Sequence, residues 1–533
     1  MIRRATYLGL ALAFLGVTSV DAQRSGQGDR SNGPEFPTDD RVIRAIWTEG
    51  MDNSQAARLA QTLTDSVGPR LTGSPGMKRA NDWAVSMFQS WGLTARNEQY
   101  GTWRSWRRGI THLDLIAPRV RSLEAMMLAW SPGTRAAVEG RAMTIPGFDS
   151  PAAFERWLPQ VRGNFVLVAA AQPSCRPMDN WEEYGLPESV DSIQAWREEA
   201  ERSYSARIAS AGLGGNAENP RARSAAARRE LITRLEAAGA AGILQSNWSN
   251  GWGVNKVFSA STERVPMVDV SCEDYGLIFR LAENGQGPRL RLEAEAELLG
   301  EQPVFNTIAE IRGSEKPNEY ILLSAHYDSW DGSSGATDNA TGSITMMEAA
   351  RILKKVYPNP RRTIVVGLWS GEEQGLNGSR AFSADHPEIV RGLQALFNQD
   401  NGTGRVQSIS MQGLTGAGEF FGRWMAAIPT DISRHITLRI PGSPGGGGSD
   451  YASFICHGAP AFSLSSLSWD YGTYTWHTNR DTFDKIVIDD LKNNAVLTAM
   501  LAYLASEDPE MIPRDRRTTG NWPQCREAER STR

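Results

Sequence analysis

Side chains that can bind a metal recur beside apolar runs in the second half of this 533-residue sequence. One His and one Asp follow "YILLSA", a pair of Glu follows "IVVGLWSG", and another Asp follows "ALFNQ". Imidazole nitrogen and carboxylate oxygen are good zinc ligands, and thiolates are not required. The metal ligands that this pattern predicts are His326, Asp338, Glu373, Asp400 and His477.

The number of these ligands favours two ions over one. Five donors are too many for a single tetrahedral zinc, but they suit two ions about 3.5–4 Å apart that share a carboxylate. Two divalent cations carry four positive charges, and the carboxylates of Asp338, Glu373 and Asp400 contribute three negative charges. A bridging hydroxide would make the site neutral. The sequence therefore predicts two Zn²⁺ ions as cofactors.

Two further acidic residues have predicted roles other than metal binding. Glu372 precedes the ligand Glu373 in a turn, where adjacent side chains point in different directions, so it can face a metal-activated water. A carboxylate in that place can take the proton of the water and pass it to a leaving amine. Asp328 stands two residues after His326, and we expect it to accept a hydrogen bond from the second ring nitrogen. Glu372 and Asp328 are the predicted catalytic residues.

The ligands must be brought together by the elements that separate them. From Asn306 onwards strand-like and helix-like segments alternate, which is typical of an α/β fold with a mostly parallel central sheet flanked by helices. Three of the polar groups lie just beyond predicted strands, at the edge where open α/β sheets bind ligands. The predicted strands are 306–311, 320–325, 363–369, 393–398 and 459–465. The predicted helices are 341–356, 377–384, 416–428, 450–457 and 489–505.

The chain is too long for one ordinary core, so we expect more than one domain. Residues 120–300 contain short apolar strands around a charged, Ala-rich helical stretch and no cluster of metal ligands. We interpret them as an α+β domain inserted into the catalytic one. The predicted division is a signal peptide (1–22), a flexible leader (23–38), the N-terminal part of the catalytic domain (39–119), the inserted domain (120–300), the catalytic domain (301–508) and a loosely held polar tail (509–533).

The beginning of the chain predicts export. Arg3 and Arg4 precede the apolar run "YLGLALAFLGV", and Val20 and Ala22 suit a signal-peptidase cleavage site. The run is too short to span a bilayer, which needs about 20 residues. We therefore expect a periplasmic or extracellular protein without a stable membrane anchor. The net charge of −5 gives no support to nucleic-acid binding.

The cysteines agree with an oxidising compartment but leave their pairing open. The chain has four of them, and none forms a C-x-x-C pair, which makes a thiolate zinc site improbable. Three complete disulfide pairings are compatible with the sequence. The four residues are Cys175, Cys272, Cys456 and Cys525.

Four motifs in this order resemble a known family. "SAHYDSWDGSSGATDNATG", "GLWSGEEQGLNGS", "FNQDNG" and "WHTNRDT" are similar to segments of the zinc exopeptidases that have a two-zinc aminopeptidase-type domain. The resemblance implies that Asp338 bridges the ions, with His326 and Asp400 completing one site and Glu373 and His477 the other. It also implies a protease-associated-type insertion and a homodimer.

The expected activity is hydrolysis of dipeptides or short peptides, as in the secreted dipeptidase and carboxypeptidase members of that family. An aminopeptidase with the same metal core is the alternative, and the sequence does not decide between them. Asp450 and Tyr451, in the glycine-rich segment "PGGGGSDYASF", are the predicted substrate-binding residues.

The sequence gives less support to other classes of protein. A serine hydrolase would need a G-x-S-x-G elbow, and a phosphate-binding loop would need G-K-[ST] after the glycines at 445–448; the sequence has neither. A non-catalytic binding protein on this fold would lack some metal ligands, whereas all five are present.

Overall fold

The computed structural model describes residues 34–214, 219–445, 448–519 and 522–531. The predicted signal peptide and the first part of the predicted leader lie outside the described residues. Within the described ranges, no helix is both long and apolar enough to cross a bilayer.

The catalytic region has the predicted α/β architecture, a mostly parallel sheet flanked by helices. The pairs formed by Lys316–His326 with Arg362–Trp369 and with Leu393–Asn398 are parallel, as is the pair of Leu393–Asn398 with Ala461–Ser466. All five predicted strands lie in this sheet. In spatial order its strands are Thr437–Arg439, Val406–Ser410, Ala461–Ser466, Leu393–Asn398, Lys316–His326, Arg362–Trp369 and Arg289–Ile311.

Helices cover the sheet and bury its apolar residues. The helix Thr341–Val356 has its predicted bounds. Its apolar residues recur every three or four positions and form a face that packs against the strand Lys316–His326 and the helix Ile488–Glu507. Aromatic side chains also join helices to strands, as in the contact of Phe382 with Trp369 at 5.0 Å between ring centres. The other helices of this region are Arg41–Met51, Ala56–Gln61, Pro75–Ser90, Asn377–Asp385, Pro387–Gly392, Ala417–Ala427, Thr430–Ser433, Ala452–Ile455 and Tyr471–Tyr474, with π-helical turns at Thr62–Val67 and Ala336–Ala340 and a 3₁₀ turn at Phe483–Lys485.

A long two-stranded ribbon connects the catalytic region to the inserted one. Thr94–Ala117 pairs antiparallel with Arg289–Ile311 over nearly its whole length. The predicted strand at 306–311 is therefore only the end of a strand that begins seventeen residues earlier. Alternating burial explains its extent, since Leu290, Leu292 and Ala294 point into a core while their neighbours are more exposed.

Residues 120–300 form a smaller sheet region with its own core. Phe154, Val166, Leu231 and Ile243 belong to a buried apolar cluster made only of residues from this part of the chain. The classification of this region as protease-associated stays a prediction. Its strands are Arg121–Leu123, Ala125–Met127, Val138–Thr144, Phe165–Leu167, Gly242–Gln245, Trp248–Gly251, Val254–Asn255 and Met267–Val270. Its helices are Pro151–Trp157, Met178–Tyr184, Pro187–Ser210, Pro220–Ala237 and Cys272–Glu283, with a 3₁₀ turn at Leu158–Val161.

The cysteines form two disulfides, Cys175–Cys272 and Cys456–Cys525. The first lies within the inserted region. The second ties the C-terminal segment to the catalytic region, close to the helix Ala452–Ile455. The structure thus selects one of the three pairings that the sequence left open.

The described part of the C-terminal tail is not loosely held, contrary to the prediction. Besides the disulfide at Cys525, the amide of Glu529 donates to Asn377 Oδ1 at 2.8 Å. The carbonyl of Arg530 accepts from the amide of Thr102 at 2.8 Å. Polar composition predicted weak attachment, but the covalent link and these two hydrogen bonds hold the segment on the catalytic region.

Candidate metal centre and active site

The first half of the predicted metal centre gathers around His326. This residue ends the strand Lys316–His326 and is 1% exposed. Its Nε2 lies 3.0 Å from Asp400 Oδ1 and 3.2 Å from Asp338 Oδ1. Asp400 follows the neighbouring parallel strand Leu393–Asn398, so adjacent strand ends deliver both side chains to one edge of the sheet.

The second half gathers around His477, which lies in a loop. Its Nε2 lies 2.8 Å from Glu373 Oε2 and 3.2 Å from Asp338 Oδ2. Asp338 therefore turns one carboxylate oxygen to each histidine. A carboxylate in this position can bridge two cations, and the five side chains lie in the two groups that the family resemblance implies.

The chemistry of these side chains fits bound divalent cations. The side chains of Asp338, Glu373 and Asp400 are at most 7% exposed, and the buried Oε1 of Glu373 accepts no hydrogen bond from any described residue. Burial, together with the neighbouring carboxylates, raises the pKa of Glu372 and of Glu373 well above the ordinary value. Buried carboxylates in such number need compensating positive charge. Zinc bound by His nitrogen and carboxylate oxygen would supply it.

Glu372 faces the same cavity as the predicted ligands. Its side chain makes no hydrogen bond to the described residues, and its carboxylate lies within the electrostatic reach of His326 and Asp400. Glu373, next to it in the chain, points to His477 instead. The two side chains thus differ in direction, which suits the predicted division between a ligand and a proton carrier.

Asp328 orients two parts of the site, one of them through an unexpected atom. His326 Nδ1 donates to the backbone carbonyl of Asp328 at 3.1 Å, whereas the carboxylate Oδ1 is 3.6 Å away. Because a carbonyl only accepts, Nδ1 carries the proton and Nε2 can offer its lone pair to a metal. The carboxylate of Asp328 instead accepts from the amides of Glu372 at 3.2 Å and Glu373 at 3.3 Å. It therefore positions the Glu pair.

Two buried residues that the sequence analysis did not single out shape the loop before Asp338. Asp481 accepts hydrogen bonds from the amides of Thr337 at 2.8 Å and Asp338 at 3.0 Å. Arg70, which is fully buried, donates to the carbonyls of Ser334 and Gly335. The motif "NRDT" contained Asp481 as a signal, but nothing near Arg70 indicated its distant partners.

The inserted region supports His477. The amide of Val257 donates to the carbonyl of His477 at 2.7 Å, and the ring of Phe258 meets the imidazole edge-on at 5.2 Å. His477 has a left-handed backbone, φ +56°, which is uncommon for a residue other than glycine. Trp476 stacks on the imidazole at 4.1 Å. These contacts hold a loop conformation that the loop alone would disfavour.

The two predicted substrate-binding residues lie behind the cavity wall rather than on it. Asp450 is fully buried, and burial raises the pKa of its carboxyl to about 7. Tyr451 is 9% exposed and packs against the main apolar core. Their neighbours Gly448, Ala452 and Ser453 do line the cavity. The glycine-rich segment therefore contributes to the cavity wall, and substrate binding by Asp450 and Tyr451 themselves stays a prediction.

A cavity of about 1500 Å³ opens over the candidate ligands. The C-terminal tail, which the sequence placed outside the catalytic domain, forms much of its wall through residues between Trp522 and Arg530. Tyr471 and Trp476 face it from the loop that carries His477. The cavity is large enough for a short peptide.

Histidine and carboxylate side chains that converge at the carboxyl edge of a mostly parallel sheet are suited to hold metal for hydrolysis. Comparison with known proteins agrees, since residues 306–502 match the model of Peptidase family M28. The comparisons identify a metallopeptidase, a hydrolase that uses bound metal, with residues 306–502 similar to Peptidase family M28.

The chain is also similar to particular proteins over most of its length. It is 24% identical over 521 residues to carboxypeptidase Q of Bos taurus, which covers 95% of this chain and 99% of that protein. A Peptidase M28 precursor from Shewanella amazonensis SB2B has a similar structure, with a TM-score of 0.61, 24% identity, and coverage of 89% of this chain and 98% of that one. The structure of BSAP, a zinc aminopeptidase from Bacillus subtilis, is also similar, with a TM-score of 0.52 and 18% identity. The match covers 85% of this chain and 95% of that one. These two structural similarities establish the fold.

Proposed function

We propose that this protein is an exported exopeptidase that uses two zinc ions to hydrolyse dipeptides or short peptides. The observation that carries the proposal is the position of Asp338, with one carboxylate oxygen 3.2 Å from each of two histidines. His326 and Asp400 would complete one zinc site, and Glu373 and His477 the other. The similarity to carboxypeptidase Q supports the substrate class.

When bound, zinc would polarise the scissile carbonyl and make the attacking water more acidic. Glu372 takes the proton from that water as its oxygen attacks the carbonyl carbon. The same carboxyl then gives the proton to the departing amine nitrogen as the C–N bond breaks. Asp328 keeps Glu372 in place by accepting a hydrogen bond from its backbone amide.

The proposal is tested by Glu372→Gln, which keeps the size of the side chain but removes its ability to accept the proton. We expect turnover of an unblocked dipeptide to fall about 10²- to 10⁴-fold, with two zinc ions per chain retained. Turnover is measured by chromatography of the released amino acids and zinc by mass spectrometry. Glu419→Gln, an exposed change on the helix Ala417–Ala427, is the matched control. Normal turnover in Glu372→Gln would disprove the mechanism.

Export is supported by the two disulfides, because such bonds persist mainly in oxidising compartments. We include a periplasmic or extracellular location in the proposal for this reason. The homodimer implied by the family resemblance stays a prediction.

A further inference from the structure

One side of the active-site cavity carries two guanidinium groups without partners. Arg380 comes from the helix Asn377–Asp385 and is half-buried, and Arg526 comes from the C-terminal tail and is exposed at the cavity. Neither side chain makes a hydrogen bond or an ion pair with any residue in the described ranges. A third arginine on the same wall, Arg530, differs because both of its terminal nitrogens contact Asp385, at 2.7 and 2.9 Å.

The two unpartnered groups are near enough to repel one another. Burial and then the charge of Arg526 lower the pKa of Arg380 below its ordinary value, while the carboxylates of Asp450, Glu372 and Glu529 oppose this shift. Two like charges held together are stabilised by an anion placed between them, and guanidinium binds carboxylate especially well through paired N–H donors. Since neither guanidinium is hydrogen-bonded to a carboxylate in the described ranges, both can bind a carboxylate of the substrate.

The fold fixes these two arginines relative to each other. The disulfide at Cys525 anchors the residue directly before Arg526. The amide of Glu529 donates to Asn377, the first residue of the helix that carries Arg380. The tail is thus attached on both sides of Arg526. Because the backbone around Arg526 is already held in place, little conformational entropy is lost when a ligand binds there.

The position of the pair relative to Glu372 indicates which part of a peptide it meets. Arg380 lies within electrostatic reach of the Glu372 carboxylate, the group that protonates the departing amine in the proposed mechanism. In a dipeptide, that amine nitrogen and the free α-carboxylate belong to the same residue. A carboxylate-binding group close to Glu372 therefore suits a substrate whose C-terminal residue is the leaving group.

We propose that Arg380 and Arg526 together bind the free α-carboxylate of the residue released from the C-terminal side of the scissile bond. This inference rests on the proposed function and extends it, because it selects dipeptides and peptides with a free C-terminus as substrates.

The test compares the dipeptide Ala-Phe with its C-terminal amide, in the wild type and in Arg380→Gln and Arg526→Gln. We expect the wild type to prefer the free acid strongly. Each substitution should lower kcat/KM for the acid about 10- to 100-fold, mainly through KM, and leave the amide unchanged, because a hydrogen-bonded charge contact is lost. Arg530→Gln is the matched control in the same tail, and the acid should keep its advantage there.

Equal cleavage of acid and amide by the wild type would overturn the inference, as would an equal loss in Arg530→Gln and Arg526→Gln. Binding separates this inference from the proposed function. Calorimetry on zinc-loaded Glu372→Gln should show Ala-Phe binding at least about 10-fold more tightly than its amide. If that preference is found but the wild type hydrolyses neither peptide, the proposed function fails and the carboxylate site stands. If Ala-Phe does not bind, the carboxylate site is wrong.

Discussion

The catalytic region and the inserted region share one continuous sheet, but they contribute to the site in different ways. All five candidate ligands come from residues 301–508, at strand ends and in the loops near them. Residues 120–300 supply none of them and instead contact His477 through Val257 and Phe258. One region thus carries the proposed chemistry, and the other holds a part of it in place.

The same contrast exists between the two halves of the metal centre. His326 is fixed by its own strand and by the carbonyl of Asp328. His477 lies in a loop with a left-handed backbone and depends on a distant segment for its position. A site held by its own sheet should tolerate changes elsewhere, whereas one held by another region should respond to them.

The largest effect is expected from His477→Ala, which removes a ligand from the half that depends on the inserted region. We expect one of the two zinc ions to be lost and turnover to fall more than about 10³-fold, because the electrostatic stabilisation of the transition state is lost. Zinc content by mass spectrometry and dipeptide hydrolysis measure the two effects. His112→Ala, at an exposed strand position, is the control. Full zinc content in His477→Ala would remove this residue from the ligand set.

A smaller effect is expected from Phe258→Ala, which removes the aromatic contact of the inserted region with His477. The imidazole loses a neighbour 5.2 Å away, so we expect zinc affinity at the His477 half to fall about 10-fold while the His326 half is unchanged. Competition with a chromophoric chelator measures the affinities, and excess zinc should restore turnover.

Tyr184→Ala, a change at an exposed aromatic residue of the same region, is the control for Phe258→Ala. Equal weakening of both zinc sites would show that the inserted region does not act specifically on His477. Loss of turnover that excess zinc does not restore would contradict the proposed supporting role.

The smallest effect concerns the ribbon that joins the two regions, where Glu98 pairs with His386 of the catalytic region at 2.7 Å. The hydrogen bond that His386 donates to Glu98 raises the pKa of His386 above 6.5. Burial opposes ionisation of Glu98, but the hydrogen bond from His386 lowers its pKa below 4.5. The histidine's contribution to stability is lost as pH rises through its raised pKa, and the glutamate's as pH falls through its lowered pKa. The pair therefore stabilises most between about pH 4.5 and 6.5.

His386→Gln should lower the free energy of unfolding by less than about 1 kcal/mol at pH 5.5, and by a smaller amount at pH 9. Urea unfolding at the two pH values, with zinc held constant, measures the difference. His112→Gln is the control. A loss that is larger at pH 9 than at pH 5.5 would mean that the ion pair is not its cause.

Prediction from sequence succeeded best where local pattern and tertiary environment agree. The strand Leu393–Asn398 and the helix Thr341–Val356 have their predicted bounds because burial on a parallel sheet demands continuous apolar runs and an amphipathic helix. The helix predicted at 450–457 is only Ala452–Ile455 in the structure. The flanking residues there form turns around the buried Asp450, which a local pattern does not reveal.

The sequence by itself determined the fold class and a set of residues with zinc-binding chemistry, because strand ends and ligand types are local properties. Only the tertiary structure decided which atoms meet. The sharing of Asp338 between His326 and His477, the use of the Asp328 carbonyl, the support from Phe258 and the wall that includes Arg526 all join residues far apart in the chain. Such contacts depend on how the sheet, the inserted region and the disulfide-bound tail pack, and side-chain periodicity carries no information about that packing.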